Sequence, residues 1–148
     1  MTADLRIISY LNRALTHELV AVQQYLAQAK LTALWDMTQV SERLHADVTA
    51  ELHHASLLME ELLVRGVAPA SAALTPTRLA GDLLGLLSHD RVLEVEAVRL
   101  YEEAAHYCAR ARDERCRALF AKILDDEVEH IQELDEWIRS LHAERAHA

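Results

Sequence analysis

Residues that stop helices are concentrated in one short stretch of this chain. Of 148 residues only three are Gly and two are Pro, and four of those five (Gly66, Pro69, Pro76 and Gly81) fall between residues 66 and 81. Elsewhere Ala, Leu, Glu and Arg dominate, side chains that lose little on entering a helix. No stretch alternates apolar and polar residues in the manner of a strand. The fold class is therefore all-α.

Polar turns divide the rest into four helices: about Asp4 to Leu34, Thr38 to Arg65, Asp82 to Arg110, and Asp113 to Leu141 before a frayed polar tail. At 1.5 Å per residue each would be about 42–46 Å long. Helices one and two, and three and four, are joined by a few residues and must be antiparallel neighbours. The connector 67–81 can stretch to about 50 Å, enough to run the length of a bundle. Returning the chain to the far end is the simplest reason for a connector of that length. The expectation is a single domain over residues 1–148, an antiparallel four-helix bundle with one long crossover between helices two and three.

The formal charge of −9 disfavours nucleic acid or an anionic membrane as partner. No apolar run reaches the ~18 residues of a membrane span. The first residues lack the apolar stretch of a signal peptide, so the expected location is cytoplasmic. Cys108 and Cys116 make no zinc or redox motif and read as buried free thiols, the alternative being a disulfide across the turn near Arg112 that they flank.

Six polar residues fall inside the apolar stripes when the helices are drawn at about 100° per residue. Glu18 lies among Leu11, Leu15, Val22 and Tyr25 on the first helix. On the second, Glu51 and His54 lie among Leu44, Val48, Ala55 and Leu58. Glu94 is framed by Leu87, Val98 and Tyr101 on the third, and Glu127 with His130 by Phe120, Ile123, Ile131 and Leu134 on the fourth. Each glutamate falls near the middle of its helix, so all four arrive at one depth. Four carboxylates in an apolar interior repel one another and lose hydration, and each unpaired charge costs several kcal/mol. Divalent cations neutralise such a cluster directly, the other reading being a proton-sharing polar core without metal. Carboxylate oxygen with imidazole nitrogen and no thiolate suits two iron ions, with manganese or zinc as competitors. Two Glu plus two Glu-x-x-His pairs, one contribution per helix, is the ligand set of a di-metal carboxylate bundle.

The Glu-x-x-His string alone is weak, since it occurs five times. Facing separates the copies. Glu42 (with His45) lies nine residues from Glu51, and Glu103 (with His106) nine from Glu94, so both point away from the core. Glu144/His147 falls in the tail.

With these residues placed, the chain resembles the bacterioferritin branch of the ferritin-like family from about residue 4 to residue 141. The resemblance rests on Asn12, Glu18-Leu19-Val20-Ala21, Gln24-Tyr25, Trp35, the Glu51/His54 pair, Asp90, Glu94, Tyr107 and the Glu127/His130 pair, with ligand spacing free of insertions. It implies Glu18 and Glu94 as terminal carboxylates on opposite metals, Glu51 and Glu127 as bridges, and one histidine per metal. It further implies a ferroxidase that oxidises ferrous iron with O2 or H2O2 and stores the product in a hollow 24-subunit shell. Tyr25 is then either a one-electron donor or a tyrosine packing in the core.

Three positions depart from that family. Leu52 stands where a methionine commonly binds haem between paired subunits, so haem is not expected. Ala46 and Ala50 replace inner-surface ligands on the second helix. A short fifth helix is expected to be missing after residue 141, which leaves open a di-metal (Fe or Mn/Fe) oxidase, or a metal-binding bundle, that builds no shell. Val20, Ala27 and Leu31 on the first helix and Leu57 and Val64 on the second point away from the core. The expected homo-oligomer therefore pairs through helices one and two.

Overall fold

The computed structural model describes residues 4–147. Four helices, α1 (Leu5–Leu34), α2 (Thr38–Val64), α3 (Leu83–Arg110) and α4 (Glu114–Ala146), make an all-α four-helix bundle. Asp4, Asp82 and Asp113 cap the starts of α1, α3 and α4, each carboxylate accepting an orphan backbone N–H of the first turn. α2 ends at Gly66, whose φ of +74° costs glycine little, and Val67 N closes the turn on Leu62 O. The same reversal after α3 is made by Arg112 at φ +58°, where a Cβ is strained.

α4 runs five residues beyond the expected end at Leu141, to Ala146. The extra turn lacks an apolar stripe, and the ion pair from Arg145 to Asp82 (2.9 Å) ties it to the start of α3.

Side-chain bonds fix the directions. Tyr10 to Glu103, Tyr25 to Glu94 and Gln28 to Leu86 O pair low numbers on α1 with high ones on α3, so these helices are antiparallel. The crossover runs alongside α1 in the same sense. Ala70 N donates to Asn12, Ala72 N to Thr16, and Gln23 to Thr77. α1 packs along α2 and α3 along α4, α1 joins α3, and the α2 and α4 backbones come close at few points.

Two apolar clusters fill the bundle, one around Leu11, Leu58, Tyr101 and Phe120, the other around Tyr25, Leu44, Leu87 and Leu134. Buried polar residues lie between them. Val20, Ala27, Leu31 and Leu57 are half-buried rather than exposed, Val20 against the crossover. The large apolar side chains that do face outward on this pair are Leu5, Leu26, Leu34, Leu52, Leu63 and Val64. Cys108 and Cys116 are buried free thiols. No described helix is long and apolar enough to cross a membrane.

Candidate metal centre

At mid-bundle the structure brings together all six inward residues found by the helical spacing. Glu18, Glu51, Glu94 and Glu127 are each at most 2 % exposed, so all four carboxylates have left water. Their donor atoms form two overlapping groups, Glu18/Glu51/His54/Glu127 and Glu51/Glu94/Glu127/His130, each within 4.8 Å. Glu51 and Glu127 belong to both. Nδ1 of His54 lies 3.6 Å from Glu18 and from Glu51, and 3.0 Å from Glu127 without hydrogen-bond alignment. Nδ1 of His130 lies 3.6 Å from Glu51 and 3.5 Å from Glu94. Donor atoms around an ion at about 2.1 Å stand roughly 3.0–3.4 Å apart, close to these separations.

The charge state follows from burial. Desolvation, reinforced by Glu18, pushes Glu51 up to about 7. Desolvation, reinforced by Glu51, does the same to Glu94, also to about 7. Burial opposes charge on His54, but Glu18 and Glu51 overcome it and raise the imidazole to about 11. His130 is likewise driven well up against its burial, by Asp47, Glu51 and Glu94. Imidazolium protons thus neutralise part of the acid cluster. Glu18 Oε2, Glu94 Oε2 and both Glu127 oxygens still lack any hydrogen-bond partner. Orphaned buried carboxylate oxygens converging on one point are what a cation site requires, and the donor set fits iron or manganese.

Several contributors were not read from the sequence. Asp126 Oδ2 lies 2.9 Å from His54 Nε2, and Asp47 Oδ1 lies 3.4 Å from His130 Nε2. An acid on each distal nitrogen leaves Nδ1 aimed at the carboxylates. Both aspartates sit at the edge of the apolar stripe, Asp126 beside Glu127 and Asp47 one turn before Glu51. That proximity was the available signal. Tyr101 donates to Glu18 at 2.6 Å, as Tyr25 does to Glu94 at 2.8 Å. Asp90, bonded by Gln24 and Gln28, extends the buried polar layer one turn from Glu94.

Between α2 and α4, whose backbones come close at few points, a cavity of about 270 Å3 opens from the ligands to the surface. Asp47, Asp126, Glu129 and Glu133 line it, together with His53. Glu129 and Glu133 therefore stand at the mouth of the site. Of the other Glu-x-x-His pairs, Glu42, His45, Glu103 and His106 are exposed and far from the cluster, and Glu144 and His147 lie in the exposed end of α4. Glu103 is nevertheless engaged, accepting from Tyr10 at 2.9 Å.

A family model described as the ferritin-like domain matches residues 8–143. The chain belongs to the ferritin-like family. Among its relatives, the bacterioferritin of Rhodobacter capsulatus is 29% identical over 135 residues, 91% of this chain and 84% of that protein. The bacterioferritin of Mycolicibacterium paratuberculosis is 28% identical over 91% of this chain and 85% of its own. A solved structure of the Rhodobacter capsulatus bacterioferritin, with a metal-free dinuclear site and a haem iron in a crystallographic special position, superposes with a TM-score of 0.91 at 29% identity. It covers 97% of this ferritin-like chain and 89% of that one.

Proposed function

We propose that this ferritin-like chain is a bacterioferritin-like protein that oxidises ferrous iron and stores it. The observation that carries the proposal is the sharing of Glu51 and Glu127 between two donor groups, each completed by one further glutamate and one histidine. Glu18 with His54, and Glu94 with His130, would complete the two ends. Two ferrous ions bound there would give up one electron each and become ferric, reducing O2 to H2O2, or H2O2 to two waters, with two protons taken up from solvent.

The remaining roles belong to side chains. Asp126 and Asp47 keep the histidine Nδ1 atoms facing inward. Tyr101 and Tyr25 hold the outer carboxylates and stay protonated, burial pushing both phenols well up. Tyr25 is also a candidate electron donor, in contact with Glu94. The acidic cleft between α2 and α4 gives cations an entrance.

Haem does not fit the residue present at position 52. Leu52 faces a groove of about 420 Å3 shared with Leu19, Ala55, Met59 and Leu63, and its aliphatic side chain offers no donor to iron. The proposed homodimer closes over this face, where Leu63 and Val64 are more than half exposed. Storage requires further closure into a shell. Sedimentation would show it as a particle of about 400 kDa built from 16.7 kDa chains. A cytoplasmic location is part of the same proposal.

Stopped-flow absorbance after mixing metal-free protein with ferrous iron and O2 tests the oxidase reading. Wild type should show a fast phase saturating at two irons per chain, and Glu127→Ala should lose it. Equal initial rates in the two proteins would remove the di-metal assignment.

A further inference from the structure

The crossover covers one side of a second, open cavity, remote from the α2–α4 cleft. Its strap is pinned to α1 at two places, by Ala70 and Ala72 on Asn12 and Thr16, and by Thr77 and Arg78 on Gln23 and Gln24. Residues between the pins arch over a space of about 350 Å3 bounded by α1 and α3. That is the low end of the range in which small-molecule pockets fall. The walls are mostly apolar, from Val20, Leu93, Leu100 and Pro76.

Its few polar groups converge. Nε2 of His17 is buried at the cavity wall with no hydrogen-bond partner, an uncommon state for an imidazole nitrogen. Arg13 and Arg78 line the same space. The one carboxylate there, Glu96, stands 3.9 Å from both His17 Nε2 and Arg78, too far for a hydrogen bond, and its side chain is 46% exposed. In a chain of net charge −9, a pocket with two guanidinium groups against one loosely held carboxylate is a local reversal of sign.

The geometry points to a binding site, beneath the crossover, for a small monocarboxylate with an apolar body. The body lies on Val20, Leu93 and Leu100. The carboxylate displaces Glu96 outward and takes charge-assisted bonds from Arg78 and Arg13, above the buried His17 ring. Neither the metal ligands nor the α1–α2 groove takes part, so the site stands independently of the iron reading.

Titration calorimetry of the metal-free, full-length protein with octanoate, and with octanol as its uncharged counterpart, tests this. Octanoate should bind one per chain, with octanol at least about tenfold weaker, the equivalent of about 1.4 kcal/mol. Arg78→Ala, a change at an exposed side chain, should weaken octanoate by a similar factor. Glu96→Gln, which removes the competing carboxylate, should tighten it. Leu100→Trp should fill the cavity and abolish binding. Absence of octanoate binding at millimolar concentration, equal binding of octanol, or full binding retained in Leu100→Trp would each overturn the proposal. If Leu100→Trp does not fold, the opposite shifts of Arg78→Ala and Glu96→Gln decide, and no shift in either counts against the site.

Discussion

Tyr101 on α3 donates to Glu18 on α1 at 2.6 Å, and Tyr25 on α1 donates to Glu94 on α3 at 2.8 Å. The two outer carboxylates are thus held reciprocally, each by a tyrosine from the other's helix. Tyr101→Phe and Tyr25→Phe should each cost about 1 kcal/mol of stability in the metal-free protein, the worth of one buried bond. If both tyrosines only position carboxylates, the two variants should slow iron oxidation alike. A radical signal after oxygen mixing that disappears in Tyr25→Phe and survives in Tyr101→Phe would identify Tyr25 as an electron donor as well.

Asp126 acts on the centre through His54. Asp126→Ala frees the imidazole to turn and lowers its basicity as a ligand. Loss of such a partner typically costs about 10–100-fold in metal affinity. Competition titration with a chromogenic chelator should show that loss while circular dichroism stays helical. Unchanged affinity would mean that packing alone orients His54.

The pH dependence of the metal-free protein follows from the buried cluster. Glu51 and Glu94 hold protons up to about 7 when folded, against an ordinary value of 4.5, so their contribution is full below 4.5 and lost as pH rises through 7. His54, raised to about 11 from 6.5, contributes fully below 6.5 and loses that contribution as pH climbs toward 11. Both act in one direction. In chelator the melting temperature should fall between pH 5 and pH 9, whereas with excess zinc it should rise, because the ion replaces the protons. A metal-free melting temperature that rises over this interval would contradict the buried-cluster account.

The outward Glu-x-x-His pair at Glu103 and His106 tests the facing argument. Changing both to Ala should leave metal stoichiometry and oxidation rate unaltered, while Glu51→Ala with His54→Ala should abolish the site. The bond from Tyr10 to Glu103 adds a stability cost of about 1 kcal/mol to the outward variant, more than for an unengaged surface residue.

The fold was legible because its signals are local. Gly66 and the capping aspartates mark helix ends, and a glutamate inside an apolar stripe has few benign explanations. The end of α4 escaped because Arg145 and Asp82 are distant in sequence and only the folded bundle brings them together. Glu61 escaped for a like reason. It is buried with Arg65 at 3.0 Å and Arg115 at 2.8 Å, and the second of these partners comes from another helix. Asp47, Asp126 and Tyr101 act on ligands across helices, and helical periodicity ranks each helix by itself. Membership of a stripe is visible in sequence; partnership between stripes is not.

Anomalous scattering at the iron edge from crystals soaked in ferrous iron tests the central claim most directly. Two peaks per chain are expected, about 3.5–4 Å apart. One should lie against Glu18 and His54, the other against Glu94 and His130, with Glu51 and Glu127 between them. A single peak, or peaks placed at Glu103 and His106 or at the cleft mouth without the inner pair, would contradict the account.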